Sequence, residues 1–402
     1  MVSADSAAIE LRTHASIREL EQHWPSLVTH DTPPFLSYVW LRALETTGCV
    51  GAERGWLPLF LSLWRGPDLL AAAPAYVKGH SMGEFVFDQS WADFAERRLG
   101  VPYYPKLVVA VPFTPATGPR LLVAPNVTRL GVSEREVEAA FAEGLARIVE
   151  HFELSGAHVL FVPEANAATM SEFGFDQRYG VQFHWRNAGY ASFDDFLERF
   201  PSKKRTQLRR ERKEIEQQGL ELVALTGGDI TSELCDHVFT FYKNTVERFY
   251  WGRQYLNREF FEEVVSKMPE RLHLVLARRK GTREPVAGAF NLLGKQTLYG
   301  RYWGATEEHR FLHFNVCFYA GIAECITRGL AVFEPGAGGE HKLARGFEPA
   351  LTRSLHRLRH PQLANAVAEY LVRERHAIGA EVEEAERNSL LRPRGADPKR
   401  CR

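Results

Sequence analysis

Alternating apolar and polar positions divide the chain into two successive sets of predicted helices and strands. In the first set, apolar runs on either side of Gly66-Pro67-Asp68 predict a β-hairpin with a tight turn. Residues 133–156 place apolar side chains at helical spacing behind a serine, which predicts an amphipathic helix capped by Ser133. In the second set, residues 272–305 predict three strands separated by glycine turns.

Both sets run through helices, an antiparallel meander, a further helix and a last strand. No exact sequence repeat accompanies this order. The interpretation that the two halves are duplicates therefore depends on the order of helices and strands alone. The pattern predicts two α+β domains of similar build, 1–185 and 186–385, followed by a flexible tail at 386–402.

Composition favours a folded, cytoplasmic protein. Hydrophobic residues make up 45% of the 402 residues, and 50 basic residues balance 50 acidic ones, so net charge gives no argument about nucleic acid. The five cysteines form no CxxC pair, which predicts free thiols rather than a zinc site or a disulfide framework. We see neither a signal peptide nor an apolar stretch of about 18 residues, so no membrane segment is expected.

The stretch 339–349, GEHKLARGFEP, concentrates reactive side chains. Glu340, His341, Lys342 and Arg345 lie within six residues, behind the small residues 336–339. A surface loop could hold such a set by accident. A site that handles a polar reacting group would need it.

The predicted helix 202–218 is strongly basic. Its buried stripe is marked by Leu208 and Ile215, seven residues apart. Within 203–213 a single acid, Glu211, stands against seven cations, namely Lys203, Lys204, Arg205, Arg209, Arg210, Arg212 and Lys213. Such a surface suits a polyanion, either a tRNA acceptor stem or the phosphates of coenzyme A. The alternative is a solvated helix whose cations pair with acids elsewhere.

Two other segments carry candidate chemistry. In residues 80–94, HSMGEFVFDQSWADF, Glu84 or Asp88 could act as a general base, and aromatic side chains could wall a pocket. On the strand that ends near residue 305, Arg301 and Trp303 share one face, and Arg301 is costly to bury without an anionic partner.

Several familiar sites are not indicated. His356 and His360 are four residues apart, but HRLRH lacks the glutamate of a zinc-protease helix. The sequence has no GxSxG elbow, no GxGxxG opening a helix and no P-loop.

Five stretches in order resemble the FemAB-like N-acyltransferases of the GNAT superfamily, over about residues 30–375. They are HSMGEFVFDQSWADF, YYPKLVVAVPFTPATGPRLL, GVQFHWRNAGYASFDDFLERFPSKKRTQLRRERK, TLYGRYWGATEEHRFLHFNVCFYAGIAECITRGL and GAGGEHKLARGFEP. Together they are similar to the subgroup described as peptidoglycan biosynthesis or recognition proteins. The resemblance implies tandem GNAT-like domains, each a mixed, mostly antiparallel sheet flanked by helices.

The resemblance also implies transfer of an aminoacyl or acyl group to an amine by direct attack on an activated donor. Fem enzymes use aminoacyl-tRNA, whereas other GNAT enzymes hold acyl-CoA with an Arg/Gln-x-x-Gly-x-Gly/Ala loop. This sequence has no convincing loop of that form, so aminoacyl-tRNA is the favoured donor. By position, Lys342 matches the lysine thought to neutralise the tetrahedral oxyanion, with Arg345 as a possible second cation.

These inferences give three predicted groups of residues. The catalytic group is Lys342, His341, Glu340, Glu84 and Asp88. The donor-binding group is Lys203, Lys204, Arg205, Arg209, Arg301, Arg345, Gly338 and Gly339. The acceptor-binding group is Trp91, Phe87, Tyr104, Trp303, His313 and Phe347.

No metal and no permanently bound cofactor are expected, and the predicted partners are tRNA and a small-molecule or peptide amine. Two alternatives remain. One is an acyl-CoA-dependent transferase acting on a small amine. The other is a non-catalytic module that binds a cell-wall precursor or tRNA.

Overall fold

The computed structural model describes residues 8–248, 252–339 and 341–392. The strands, in chain order, are β1 (Glu10–His14), β2 (Trp56–Pro58), β3 (Phe60–Arg65), β4 (Asp68–Ala73), β5 (Ala75–Lys78), β6 (Lys106–Val109), β7 (Leu122–Val123), β8 (Gly156–Val159), β9 (Asp176–Arg186), β10 (Leu220–Thr226), β11 (Leu272–Arg279), β12 (Pro285–Leu293), β13 (Thr297–Ala305), β14 (Val332–Glu334) and β15 (Glu348–Leu358).

The helices are α1 (Trp24–Leu27), α2 (Tyr38–Thr46), α3 (Gln89–Phe94), α4 (Glu134–His151), α5 (Glu164–Ser171), α6 (Phe193–Glu198), α7 (Ser202–Gln217), α8 (Leu234–Glu247), α9 (Arg258–Lys267), α10 (Leu312–Phe314), α11 (Ala320–Arg328) and α12 (Pro361–Arg387). Two π-helical segments, Ala95–Leu99 and Asn315–Tyr319, and a short 3₁₀ turn, Leu343–Arg345, complete the elements used below.

The chain divides into two compact units. Unit 1 contains residues 1–180 and 351–379, and unit 2 contains residues 181–350 and 380–402. The predicted boundary at residue 185 lies close to this division, but the assignment of all of 186–385 to the second domain differs from it. Residues 351–379 belong to unit 1 because the end of β15 pairs there with β8, with Leu355 opposite Val159.

Unit 1 has two sheets. The first has the order β1-β3-β4-β7, and the second contains β15, β8, β6, β5 and β2 as successive neighbours. Neighbouring strands of the second sheet are antiparallel except for β6 and β8, which are parallel. Helix α4 lies between these two strands in sequence and buries Val137, Phe141 and Leu145 in the core of the unit.

Unit 2 repeats the same strand pattern. Strands β10, β11, β12 and β13 form an antiparallel meander, β13 pairs in parallel with β14, and β14 pairs antiparallel with β9. Helix α11 lies in the connection between the two parallel strands. The core of unit 2 is rich in aromatic side chains, among them Trp185, Phe196 and Phe333. The mixed, mostly antiparallel α+β architecture predicted from the sequence is confirmed.

Local sequence signals explain several elements. The hairpin predicted around Gly66-Pro67-Asp68 is confirmed by antiparallel β3 and β4. The predicted cap of α4 is also confirmed, because the Ser133 side chain accepts a hydrogen bond from the Glu136 backbone and Glu136 bonds back to the Ser133 backbone. Gly329 caps the C-terminal end of α11, and its φ of 66° is a backbone conformation that favours glycine.

The predicted tail begins inside α12, which continues to Arg387. The Arg392 amide then donates a hydrogen bond of 2.9 Å to the Arg199 carbonyl, and Leu391 packs on the unit 2 core. Residues 393–402 lie outside the described residues. The cysteines in the described part, Cys49, Cys235, Cys317 and Cys325, are free thiols, as predicted.

Candidate active site

Lys342 lies in the connection between β14 and β15 and is 5% exposed. Its ammonium donates hydrogen bonds to the carbonyl oxygens of Gly336, at 2.5 Å, and Ala337, at 3.1 Å. Because an ammonium has three N–H donors, the third is without a partner in the described residues. A fixed cation with one free donor can meet an oxygen that gains negative charge.

The small residues before Lys342 form the backbone that surrounds its ammonium. Gly336 and Gly338 have φ values of 92° and 84°, which favour glycine, and a Cβ at Gly339 would lie 2.4 Å from the Phe183 ring. Gly338 and Gly339 were predicted from the sequence to contact the donor. In the structure, carbonyl groups of this run bind the Lys342 ammonium instead.

Lys342 is surrounded by polar side chains of unit 2. Burial, followed by the nearby Arg301 guanidinium, lowers the pKa of Lys342 to about 8. Burial and the Lys342 charge lower the pKa of His313 to about 4. Burial and the neighbouring cations lower the pKa of His184 to about 3. At neutral pH the lysine is therefore mostly charged and both imidazoles are neutral.

Arg301 carries a second charge at this site. Its Nε and Nη2 atoms are buried and have no hydrogen-bond partner in the described parts of the chain. Burial lowers its pKa, and Glu334 opposes that shift. The Nε and Nη2 edge of a guanidinium can bind a carboxylate or phosphate through two parallel hydrogen bonds.

The structure brings two predicted acceptor contacts together near Lys342 and buries a third. The Trp303 and His313 rings have centroids 4.4 Å apart. Phe347 is fully buried in the aromatic core, against Phe318 and Phe333. His341 is exposed, with its ring edge-to-face with Phe314, and Glu340 lies outside the described residues.

Arg345 is committed to contacts within the protein. Its Nη2 donates to Glu211 Oε2 at 2.9 Å, Nε to the Tyr319 hydroxyl at 3.0 Å, and Nη1 to the His341 carbonyl at 3.0 Å. Its guanidinium carbon also lies 3.3 Å from the centre of the Phe314 ring. Arg345 therefore fixes the turn that follows Lys342.

The basic helix is α7, and its predicted buried stripe of Leu208 and Ile215 is confirmed. Glu211, the single acid of the run, is buried on the same stripe.

The predicted donor contacts on α7 differ in how free they are. Arg205 pairs with Glu198, and Arg209 lies 3.1 Å from Asp194. Lys204 Nζ lies 3.4 Å from Gln207 Oε1, and burial lowers the Lys204 pKa. Lys203 is exposed and has no ion-pair partner in the part of the chain that the structure describes.

A groove of about 770 Å³ runs beside α7. Its charged lining contains four cations, Arg209, Arg212, Lys213 and Lys280, and three acids, Asp194, Glu216 and Glu221. The Arg212 guanidinium lies 3.9 Å from the centre of the Phe193 ring. Lys213 and Lys280 are exposed and belong to none of the described ion pairs, whereas Arg209 pairs with Asp194.

The two predicted carboxylates, Glu84 and Asp88, lie in unit 1 and are buried. Lys106 Nζ lies 2.9 Å from Glu84 Oε2 and 2.5 Å from Asp88 Oδ2, and the Tyr103 hydroxyl donates to Asp88 at 2.7 Å. Burial raises the pKa of Glu84 to about 7. Burial acts in the same direction on Asp88, but the Lys106 charge holds its pKa well below the usual range.

Lys106 was not among the site residues predicted from the sequence. It stands alone at the start of the apolar run KLVVAVPF, and this isolation is the signal that could have found it. A lysine buried on a strand needs acidic partners, and Glu84 and Asp88 supply them.

The remaining predicted acceptor contacts also lie in unit 1. Trp91 is buried beneath the Arg178 guanidinium, at 4.9 Å, and the Tyr104 hydroxyl lies 2.9 Å from Ser81 Oγ. Phe87 is 71% exposed. The predicted residues thus divide between the two units, with Lys342, Arg301, Trp303 and His313 together in unit 2.

Comparisons with known proteins identify the family and the fold. The family model for FemAB-like proteins, described as peptidoglycan biosynthesis or recognition, matches residues 16–392. No curated protein matches the sequence.

Among solved structures, FemX aligns with a TM-score of 0.52 and 12% identity, over 89% of this chain and all of that chain. The L-PGS structure from Bacillus licheniformis aligns with a TM-score of 0.47 and 10% identity, over 82% of this chain and 95% of that chain. A tandem GNAT protein from the clavulanic acid biosynthesis pathway aligns with a TM-score of 0.46 and 12% identity, over 88% and 99%. In the described residues, no helix is both long and apolar enough to cross a membrane.

Proposed function

The chain belongs to the FemAB-like family, and from this premise we propose that it transfers an aminoacyl group from aminoacyl-tRNA to an amine. The observation that carries the proposal is the buried Lys342 ammonium, whose third N–H donor has no partner among the described residues. Transfer to an amine passes through a tetrahedral intermediate whose oxygen is negative. A prearranged cation at that oxygen is the largest help that a protein can give.

Lys342 acts as the oxyanion partner. The acceptor amine attacks the ester carbonyl carbon directly, and the carbonyl oxygen gains charge as it accepts the free N–H of Lys342. The bond to the departing tRNA oxygen then breaks, and that oxygen takes up the proton that the amine loses. This route forms no covalent bond with Lys342.

Arg301 and His313 position the reactants beside Lys342. The buried edge of Arg301 suits an anionic group of either substrate. His313 is neutral at pH 7 because its pKa is about 4, so its imidazole can accept a hydrogen bond from the amine. Trp303, which packs on His313, supplies an apolar wall.

The donor tRNA binds through the basic surface of α7. Lys203 and the groove cation Lys213 are exposed and available to phosphate, whereas Arg205 is already paired with Glu198. Phosphate contacts of this kind give affinity that falls steeply with salt. The absence of an acyl-CoA loop in the sequence also favours tRNA.

The test offers purified protein two donors, a pool of aminoacyl-tRNAs and acetyl-CoA, with a peptidoglycan precursor that carries a free amine. Mass spectrometry follows the loss of each donor and the mass gained by the precursor. We expect an aminoacylated product from tRNA only. Consumption of acetyl-CoA alone would show that the donor is acyl-CoA and not aminoacyl-tRNA. If neither donor is consumed, the protein would be a binding module without transferase activity.

Binding of tRNA is tested separately with K203A/K213A and with R205A as the matched control. Removing two phosphate contacts should lower the slope of log affinity against log salt by about 1.4 to 1.8. Removing Arg205, which is already paired with Glu198, should change this slope less. Equal effects of both changes would contradict this use of α7.

A further inference from the structure

Unit 1 contains a cavity of about 210 Å³ that the proposed transfer does not use. Its walls include the apolar side chains of Phe85, Phe161 and Ile378. Its polar lining includes Ser354 and two arginines, Arg178 and Arg353. Tyr179, Thr352 and Glu374 complete the polar lining. A concave pocket that combines apolar walls with convergent polar groups is typical of a small-molecule site.

The Ser354 hydroxyl opens a chain of hydrogen bonds. Its Oγ lies 2.8 Å from His356 Nε2, and His356 Nδ1 lies 2.7 Å from His158 Nδ1. All three side chains are buried. A hydroxyl, an imidazole and a third group that orients the imidazole form the arrangement that activates a serine.

The sheet holds this chain in place. His356 on β15 is directly opposite His158 on β8, and Ser354 lies two residues earlier on the same face of β15. The Trp91 ring packs edge-to-face on His356, with centroids 4.9 Å apart. The imidazole is therefore fixed from two sides.

We propose that Ser354 is a nucleophile, with His356 as its base and His158 as the orienting group, and that the cavity takes a small activated acyl ester or thioester. Ser354 Oγ forms a bond to the acyl carbon, and its proton passes to His356 Nε2. The bond to the leaving alcohol or thiol breaks, and that group takes the proton from His356. The product is an acyl ester on Ser354, which water or an amine then cleaves.

This step requires one tautomer of the imidazole pair. His356 must accept at Nε2, so its Nδ1 carries the proton and donates to His158 Nδ1. His158 is then protonated at Nε2, an atom that has no hydrogen-bond partner among the described residues.

The charges around the pair set its reactivity. Burial lowers the pKa of His158 to about 3 and holds that of His356 well below its ordinary value, so both imidazoles are neutral at pH 7. Lys106 and Arg178 oppose a positive charge on His356, and Asp88 favours one. His356 is therefore unprotonated at pH 7 and can accept a proton, but its protonated form is costly in this environment. We expect Ser354 to react with strongly activated acyl or phosphoryl groups.

Each of the two arginines that line the cavity is paired with an acid. Arg178 is held by Glu374 through hydrogen bonds of 2.9 and 2.8 Å, and Arg353 lies 3.0 Å from Glu164. Arg178 Nη1 also donates to the Phe87 carbonyl at 2.6 Å, so this guanidinium is fixed at the wall of the cavity.

The cavity also has an unusual backbone. Phe85 and Phe161, which both line it, have φ values of 59° and 57°. Bulky residues rarely occupy this region, and such conformations cluster at functional sites.

A second serine–histidine contact provides a matched control. Ser62 Oγ lies 2.7 Å from His14 Nε2, but it also accepts a hydrogen bond from Trp64 Nε1 at 2.7 Å. Ser62 does not line the cavity. His14 also has an orienting group, because its Nδ1 lies 3.4 Å from Glu19 Oε2. Access to the cavity is therefore the feature that separates the two serines.

The experiment treats the full-length protein with a fluorophosphonate, which phosphorylates activated serines and releases fluoride. Peptide mass mapping locates the added group. We expect it on Ser354, absent from S354A, unchanged in S62A, and formed about 10²-fold more slowly in H356Q. Label on Ser62, no label on Ser354, or a normal rate in H356Q would overturn the proposal.

H158Q serves as a second variant where H356Q does not fold, and it should also slow labelling at Ser354. The result is independent of the proposed transfer. S354A should keep its Lys342-dependent consumption of aminoacyl-tRNA, and K342A should keep its label on Ser354.

Discussion

At the scale of single residues, two buried lysines dominate the candidate chemistry in different ways. Lys342 could be predicted because it stands among other reactive side chains behind small residues. Lys106 could not, because one lysine at the start of an apolar run looks like a strand end. Both depend on neighbours distant in sequence, such as Arg301 for Lys342 and Glu84 for Lys106. A one-dimensional pattern does not contain those neighbours.

The lowered pKa of Lys342 predicts the pH dependence of the transfer. Oxyanion stabilisation needs the protonated ammonium, so the single-turnover rate should fall as pH rises through about 8. K342R should keep its charge at higher pH, because the arginine pKa is above 12. Its single-turnover rate should be smaller than that of the wild type and should stay level from pH 7 to 9.5. Quenched-flow measurement of donor loss checks both profiles. A wild-type rate that does not fall between pH 8 and 9.5 would contradict a charged role for Lys342.

At the scale of elements, the basic helix is joined to the turn that follows Lys342. The helical spacing of 208, 211 and 215 places Glu211 on the buried stripe, and this position was predictable from the sequence. Its partner was not, because Arg345 is 134 residues away along the chain. The ion pair of Glu211 and Arg345, with Tyr319, therefore links α7 to the site.

This link predicts the effect of breaking the buried pair. R345M leaves the Glu211 carboxylate buried without its cation, which should cost about 3–5 kcal/mol of the free energy of unfolding. E211Q/R345M removes both charges and should cost clearly less than R345M alone. Urea denaturation followed by tryptophan fluorescence measures both. Equal costs would show that the pair is not coupled.

At the scale of the whole molecule, the chain contains two units with the same strand pattern. The family and the fold predicted from the sequence are confirmed. The order of helices and strands was predictable because each has its own periodicity. The return of residues 351–379 to unit 1 was not, because the pairing of β15 with β8 spans about two hundred residues.

The buried histidines predict how stability depends on pH. In the fold, the pKa values of His158 and His184 are about 3, and those of His273 and His313 about 4. The unfolded value is about 6.5, so between these values the unfolded chain binds more protons. Stability should therefore fall as pH falls below 6.5, by up to about 2 kcal/mol for each imidazole at pH 5.

One group opposes this trend. The pKa of Glu84 is raised to about 7, so its contribution grows as pH falls from 7 toward 4.5. The histidines outnumber it, and the urea midpoint should be lower at pH 5 than at pH 7. H273Q, which removes one buried imidazole, should reduce that difference. A midpoint that rises on acidification would show that the histidines are not buried as neutral groups.

The central claim is that the Lys342 ammonium stabilises the oxyanion of an acyl transfer. Its most direct test is the single-turnover rate of donor loss at saturating donor, at pH 7, for the wild type, K342R and K342A. We predict a loss of about 10²–10³-fold for K342A with little change in donor affinity, and a smaller loss for K342R. A K342A rate equal to that of the wild type would contradict the claim.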